Sequence, residues 1–237
     1  LSNDPVGDLE PEKTFEINHK GRTRVAKLSK EHGVKQYVLA SSASIYGQQK
    51  DIATENSTVH PLTSYSKANN KAEIDNLPLN DDSFTVTALR FSSIYGISPR
   101  MRFDTAVNCM VLDLFKNKKI NVNGKENRRP FIFTKDVVKA YITIINASKE
   151  KIGGQIFNVG SNEQNVTMDE LANKIVDSIN EPCEISINDT NDHRSYFASF
   201  KKIEDILGFT TDYSIKDGAV EIYNALKTNQ VSDDIKT

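Results

Sequence analysis

The residues best placed to do chemistry are hydroxyls that follow a short apolar run. The run YVLA begins at Tyr37, and three serines come directly after it or close behind: Ser41, Ser42 and Ser44. Such a run is typical of a buried strand, and a parallel α/β sheet places its chemistry beyond the carboxyl ends of its strands. Tyr65 lies in the next segment, whose residues favour a capped helix. We therefore expect its phenol to reach the same crevice as the serines.

Short motifs follow one another along the chain in a set order. They are Asn18-x-x-Gly21, SSxxxYG at residues 41–47, PxTxY at residues 61–65 with Glu73 eight positions after the Tyr, Leu89-Arg90, Tyr95-Gly96, Arg129-x-Phe131-Ile132, Asp136-Val137 and Phe157-Asn158-Val159-Gly160. The ordered set covers nearly the whole chain. It resembles the extended short-chain dehydrogenase/reductase family of NAD(P)-dependent epimerases and dehydratases. This resemblance implies NAD or NADP as the cofactor and a nucleotide sugar as the substrate.

The resemblance also implies a fold, an α/β Rossmann-like doubly wound parallel sheet with a smaller α+β substrate lobe. Residues 1–96 and 133–160 would form the nucleotide-binding part, and residues 97–132 and 161–237 the substrate lobe. The 237 residues contain no G-x-x-G-x-x-G turn, the loop that binds a cofactor pyrophosphate through backbone N–H groups. We therefore expect an N-terminally truncated chain that binds dinucleotide poorly by itself. The alternative, a domain that never bound a dinucleotide, fits the remaining motifs less well.

By the same resemblance, Tyr65 is the general acid/base of a reversible hydride transfer. Ser42, four residues before Tyr46, would hydrogen-bond the reacting oxygen of the substrate. A tyrosine works as a base near neutral pH only if its pKa falls well below about 10. The family achieves this with a lysine four residues after the tyrosine, where this chain has Asn69. Neighbouring lysines at offsets of two and six residues lie on other faces of the helix and cannot replace it.

Asn69 therefore separates two hypotheses. An asparagine can hydrogen-bond a ribose hydroxyl but supplies no charge, so catalysis would be weak or altered. The chain is either an epimerase-like enzyme or a non-catalytic relative that binds a nucleotide or a protein partner. The resemblance places Tyr65, Asn69 and Ser41 at the cofactor. It also gives Asn18 the role of ordering a proton-relay water, although a merely solvated Asn18 remains an alternative.

Four further residues are expected to contact the substrate. Arg129 matches the family's diphosphate-binding arginine, and Arg194 matches the arginine that closes on the diphosphate; a guanidinium fork suits two phosphate oxygens. Arg128 is an adjacent competitor for the first role. Asn108 stands where nucleotide-sugar enzymes often carry an asparagine. Ser44 stands where 4,6-dehydratases of the family carry an acidic residue, which favours epimerisation over dehydration.

Composition excludes several other classes of function. The net charge of −2 gives no support to nucleic-acid binding, and no stretch approaches the roughly 20 apolar residues of a membrane span. Cys109 and Cys183 are predicted to be free thiols in a reducing, cytoplasmic setting. The four histidines lack zinc-site spacing, so no metal site is predicted. The resemblance further suggests a homodimer.

Hydrophobic patterning predicts the elements that must position these residues. Strands are expected at residues 37–41, 84–91, 119–122, 130–133 and 155–159, the third and fourth around a turn at Asn123-Gly124. Helices are expected at residues 11–32, 106–115, 135–147, 167–179, 199–207 and 214–226, with a capping box of Thr167 and Glu170 on the fourth. Their buried faces are assigned to Phe15, Val25 and Leu28 in the first helix, and to Val137, Tyr141, Ile144 and Ile145 in the third.

Overall fold

The computed structural model describes residue 1 and residues 3–232. Its strands are β1 (Gln36–Ser42), β2 (Thr85–Phe91), β3 (Ser93–Tyr95), β4 (Lys119–Asn123), β5 (Arg128–Phe133), β6 (Ile156–Val159), β7 (Asn165–Thr167) and β8 (Glu184–Asn188). Its α-helices are α1 (Asp4–Leu9), α2 (Pro11–Phe15), α3 (Arg22–Glu31), α4 (Ser64–Asn76), α5 (Ala106–Asn117), α6 (Thr134–Asn146), α7 (Lys149–Ile152), α8 (Met168–Ile179), α9 (Lys201–Leu207) and α10 (Ile215–Lys227). Within these described residues no helix is both long and apolar enough to cross a bilayer.

A parallel sheet of three strands, in the order β1-β2-β6, carries the site. Leu39 of β1 pairs with Ala88 of β2, and Leu89 pairs with Phe157 of β6. Every residue of β2 is buried, as expected for a central parallel strand that is covered on both faces. The parallel α/β core predicted from the sequence is therefore confirmed.

The second core contains α5, α8 and α10 and the shorter strands. Val107 and Leu114 of α5 pack with Ile120 of β4, Leu171 of α8 and Ile222 of α10. The capping box of α8 forms as predicted, with both reciprocal hydrogen bonds present. Helix α9 packs on β6 of the first core.

The predicted pairing around Asn123-Gly124 is wrong. Strand β4 pairs in parallel with β8, in a register that sets Ile120 opposite Ile185, while β5 pairs with β3 and β7. The local pattern of a turn between two β-rich runs indicates a hairpin. The actual partner of β4 lies 65 residues further along the chain, where Ile185 of β8 packs against the core that contains α5 and α8.

The predicted helix over residues 11–32 forms, but with a wider turn in its middle. Residues Glu16–Gly21 adopt a π-helix between α2 and α3, and such a turn changes which residues share a face. Val25 and Leu28 are consequently exposed, at 55% and 47%, so their predicted burial is wrong. In α6, Ile144 is buried as predicted, whereas Ile145 is 58% exposed.

Candidate active site

A cavity of about 630 Å³ opens beyond the carboxyl ends of β1 and β2. Its walls include six of the residues singled out from the sequence: Ser41, Ser42, Ser44, Tyr65, Arg129 and Arg194. The serines and Tyr65 thus face one crevice, as the rule for parallel sheets predicts. The two arginines line the same space from the other lobe.

Tyr65 is held in place by the junction of α1 with α4. Thr63 and Ser66 form a capping box at the start of α4, which fixes Tyr65 in the first helical turn. Asp4 of α1 accepts a hydrogen bond from the Thr63 hydroxyl at 2.5 Å. Gly7 lies so close that a Cβ there would sit 2.8 Å from the Tyr65 Cβ. A larger residue at position 7 would therefore push Tyr65 away from the cavity.

The groups around Tyr65 shift the pKa of its phenol in opposite directions. Burial raises the pKa of its phenol most strongly, and the charge of Arg22 lowers it. Asp4 raises the pKa, whereas hydrogen bonding with Ser42 and Asn69 lowers it. The net pKa lies above the ordinary value of 10, so the phenol is protonated at neutral pH.

Asn69, at the position of the family's lysine, connects Tyr65 to an arginine from another helix. Its side chain is fully buried, and its Nδ2 donates to the Tyr65 carbonyl at 3.0 Å. Its Oδ1 accepts from Arg22 Nη1 at 2.6 Å. Lys67 and Lys71 are exposed on α4, as predicted. Sequence reasoning missed Arg22, whose only sequence signal is that it follows the Asn18-x-x-Gly21 motif.

The serines have different surroundings. Ser42 Oγ donates to Ser44 Oγ at 3.0 Å and accepts from the Ser44 backbone N–H at 3.2 Å, which caps the short 3₁₀ turn after β1. Ser41 Oγ donates to Glu73 Oε1 at 2.5 Å. The Ser41 hydroxyl is therefore already bound by a buried carboxylate, whereas Ser42 is only partly buried and keeps a free side toward the cavity.

Two arginines converge on one carboxylate at the opposite wall. Arg129 Nη2 lies 3.1 Å from Asp192 Oδ2, and Arg194 Nη2 lies 2.7 Å from the same oxygen. Arg194 Nη1 also contacts Asp4 Oδ2 at 2.5 Å. Burial alone would raise the pKa of Asp192, but Arg194 and Arg129 outweigh it and hold the pKa below its ordinary value. Arg128, the predicted competitor, is exposed and donates to the Lys50 carbonyl.

Three predicted site residues, Asn18, Asn69 and Asn108, do not line the cavity. Asn18 is 1% exposed, so the solvated alternative is wrong; its amide bonds the backbone nitrogen of Leu1 at 2.9 Å and the Leu1 carbonyl at 2.7 Å. Asn108 accepts from the Gly96 N–H at 3.0 Å and donates to the Arg102 carbonyl at 2.8 Å. The amides of Asn18 and Asn108 therefore position segments of the cavity wall, because Leu1 and Arg102 line it.

The cavity has polar groups suited to the reacting end of a nicotinamide dinucleotide. Ser92 Oγ and Thr105 Oγ1 are buried, belong to residues of the cavity wall, and have no hydrogen-bond partner within the described part of the chain. Both oxygens have almost no accessible surface, so a ligand in the cavity does not reach them. The hydroxyls of Tyr65 and Ser42, whose residues line the cavity and are partly exposed, are the donor and acceptor groups that fit a nicotinamide ribose and a sugar hydroxyl.

Comparisons with known proteins identify the family of this chain. A model of the NAD dependent epimerase/dehydratase family matches residues 1–160. A curated relative, an uncharacterized UDP-glucose epimerase from Bacillus subtilis, is 24% identical over 199 residues, which are 82% of this chain and 61% of the relative. This chain thus spans about three fifths of that relative's length.

Solved structures show the same fold. A UDP-glucose 4-epimerase from Thermotoga maritima, bound to UDP-glucose, superposes with a TM-score of 0.86 at 19% identity, covering 98% of this chain and 76% of that one. The RMD protein of Pseudomonas aeruginosa, complexed with NADPH, superposes with a TM-score of 0.84 at 20% identity, covering 97% and 79%. The Rossmann-like architecture predicted from the sequence is confirmed.

Proposed function

Because this chain belongs to the NAD-dependent epimerase/dehydratase family, we propose that it forms the reacting part of an enzyme that epimerises a nucleotide sugar. One observation carries the proposal. Ser42 and Tyr65 line the same cavity as Arg129 and Arg194, so an acid/base pair and a diphosphate-binding pair face one ligand-sized space.

The proposed chemistry begins with oxidation of a sugar hydroxyl. The positive charge of a bound, oxidised nicotinamide would favour the phenolate form of Tyr65, which would then take the hydroxyl proton while Ser42 hydrogen-bonds the same oxygen. Bound NAD or NADP supplies the acceptor for the hydride that leaves the carbon. For the carbon to be inverted, the keto sugar would have to present its other face to the cofactor before the hydride returned, and Tyr65 would then give the proton back. No net oxidation results, and all atoms balance.

Epimerisation is favoured over dehydration by the residues that follow Ser42. Loss of water needs an acid and a base at the neighbouring carbons. Ala43 is fully buried, and the Ser44 hydroxyl is hydrogen-bonded to Ser42. Neither residue can exchange a proton with a substrate at neutral pH.

We propose that Arg129 and Arg194 bind the diphosphate. An arginine guanidinium suits the oxygens of a diphosphate, although two carboxylates, Asp192 and Asp4, offset the charge of this arginine pair in the chain without ligand. Asp4 now occupies one nitrogen of Arg194, so a diphosphate would compete with that carboxylate. The epimerase name of the curated relative favours this enzymatic interpretation over a non-catalytic relative.

The test uses the longest natural protein that contains these residues. It is incubated with NAD or NADP and a panel of UDP- and dTDP-sugars, and inversion is followed by proton NMR. We expect inversion of one sugar, with Tyr65→Phe abolishing it. Absence of turnover together with absence of cofactor binding would remove the proposal.

A cytoplasmic homodimer is proposed as the working form. Helices α3 and α4 expose Val25, Leu28 and Ile74 to solvent, and such apolar side chains favour burial against a second copy. Sedimentation velocity should show a dimer that Ile74→Lys dissociates. Val138→Lys, at a similarly exposed position on α6, is the matched control and should leave the dimer intact. A monomeric wild-type protein would contradict this assignment.

A further inference from the structure

We infer that Arg22 replaces the lysine that position 69 lacks, as a positioning residue that supplies the positive charge beside Tyr65. The inference rests on the proposed function for its catalytic meaning. The structural part of the inference is that the cation lies on α3 and not on α4, and the contacts within this chain support it.

The guanidinium of Arg22 is fixed by two acceptors. Nη1 donates to Asn69 Oδ1 at 2.6 Å and to the Ala40 carbonyl, near the end of β1, at 2.9 Å. Asn69 Nδ2 in turn donates to the Tyr65 carbonyl at 3.0 Å. Arg22 also lines the cavity. Its charge is therefore tied to the end of the strand and to the helix that carries Tyr65.

The identity of residue 69 follows from this arrangement. Arg22 needs an acceptor at that point, and the carbonyl oxygen of the buried Asn69 side chain provides one. A lysine at position 69 would bring a second cation against the guanidinium, and like charges close together are destabilising. Arg22 together with Asn69 is thus an alternative way to place a positive charge near Tyr65, in which the cation lies at position 22 and the neutral residue at position 69.

The groups that face the Tyr65 phenol come from several elements. Burial raises its pKa most, Arg22 from α3 lowers it, and Asp4 from α1 raises it. Ser42 and Asn69 contribute hydrogen bonds that lower it, and Tyr196, which follows β8, is a titratable neighbour. Among the cations of the described residues, Arg22 has the largest effect on this phenol. Its removal should therefore make the phenolate harder to form.

The activity test compares variants of the longest natural protein. Arg22→Met should lower kcat at neutral pH about tenfold and move the rising limb of the pH profile up by about one unit, since one pKa unit is a tenfold change in phenolate. KM should stay within about twofold. Arg22→Lys should recover most of the rate. Arg24→Met, an exposed arginine on the same helix, should change nothing.

A double variant tests whether Arg22 takes the place of a lysine at position 69. Asn69→Lys alone should give no gain, because Arg22 already occupies the site. Asn69→Lys together with Arg22→Met should regain the rate that Arg22→Met loses. A wild-type rate in Arg22→Met, or a double variant no faster than Arg22→Met, would overturn the inference.

A second readout needs no turnover. The ¹³Cζ resonance of Tyr65, assigned with Tyr65→Phe, is titrated with pH in the chain without ligand. Arg22→Met and Arg22→Gln, which keeps an N–H donor, should both raise the apparent pKa by about one unit, and Arg24→Met should not. An unchanged titration overturns the inference whether or not the protein is an enzyme. A raised pKa without any sugar turnover supports the charge effect while removing the proposed function.

Discussion

Two polar clusters lie side by side at the end of the parallel sheet, and they differ in how many of their polar groups have hydrogen-bond partners within the protein. The motif cluster comprises Ser41, Tyr46, Glu73, Arg90 and Asn158. Arg90 and Glu73 form an ion pair at 2.7 Å with side chains only 5% and 3% exposed. The Tyr46 hydroxyl accepts from Arg90 at 3.0 Å and donates to Asn158 Oδ1 at 2.7 Å.

The reaction cluster comprises Arg22, Ser42, Tyr65 and Asn69. Arg22, Ser42 and Tyr65 all line the cavity, and each is partly exposed. Its hydrogen bonds leave the Tyr65 phenol and one side of Ser42 turned toward a ligand.

This contrast explains why family motifs alone are poor guides to chemistry. The motif cluster contains most of the residues that match family motifs. Its polar groups are nevertheless hydrogen-bonded to one another and buried. A buried, fully satisfied network contributes to stability and to a unique structure. The reaction cluster contains fewer residues that match family motifs, and its incomplete hydrogen bonding leaves polar groups available at the cavity.

Tyr65→Phe gives the largest expected effect. Loss of the general acid/base should lower kcat by about 10²- to 10⁴-fold, measured by NMR of sugar inversion. Urea unfolding of the same variant should change by less than about 1 kcal/mol, because the removed hydroxyl faces the cavity. If the variant lost stability but kept its rate per folded molecule, Tyr65 would have a structural role like that of the motif cluster.

Arg90→Met should have the opposite character. It leaves the Glu73 carboxylate buried without its partner, which typically costs about 3–5 kcal/mol of unfolding free energy. Urea denaturation followed by circular dichroism measures this. Lys201→Met, which removes an exposed ion pair with Asp205, is the control and should hardly change stability. A loss of less than about 1 kcal/mol in Arg90→Met would show that the pair does not stabilise the fold.

Arg194→Met should weaken substrate binding. One charge-assisted contact to a phosphate contributes about 1.5–3 kcal/mol, so KM for a nucleotide sugar should rise about 10- to 100-fold while kcat changes little. Arg128→Met, at the exposed neighbour of Arg129, should leave KM within about twofold. Equal effects of the two substitutions would remove the diphosphate assignment.

Tyr46→Phe gives the smallest expected effect. It removes a hydroxyl that bonds both Arg90 and Asn158, and a buried polar group left without a partner costs about 1–3 kcal/mol. The unfolding midpoint in urea should therefore fall. The rate per folded molecule should stay within about twofold, and a larger loss of rate would mean that the two clusters are coupled.

Sequence patterns alone predict the parallel core and the one cavity that the serines share with Tyr65. Apolar runs that end in serines locate strand ends, and the rule for parallel sheets then brings Ser42 and Tyr65 to one cavity. The family resemblance paired Arg129 with Arg194, although it missed Asp192, which joins them.

Tertiary structure alone decided the pairing of β4 with β8 and the contact between Arg22 and Asn69. Residues 22 and 69 are separated by 47 positions and belong to different helices, so no local period relates them. Sequence patterns act over a turn of helix or a hairpin, and they showed that the expected cation was missing from α4. Where the compensating charge lies depends on how two helices pack against the end of a strand, which is a property of the folded molecule.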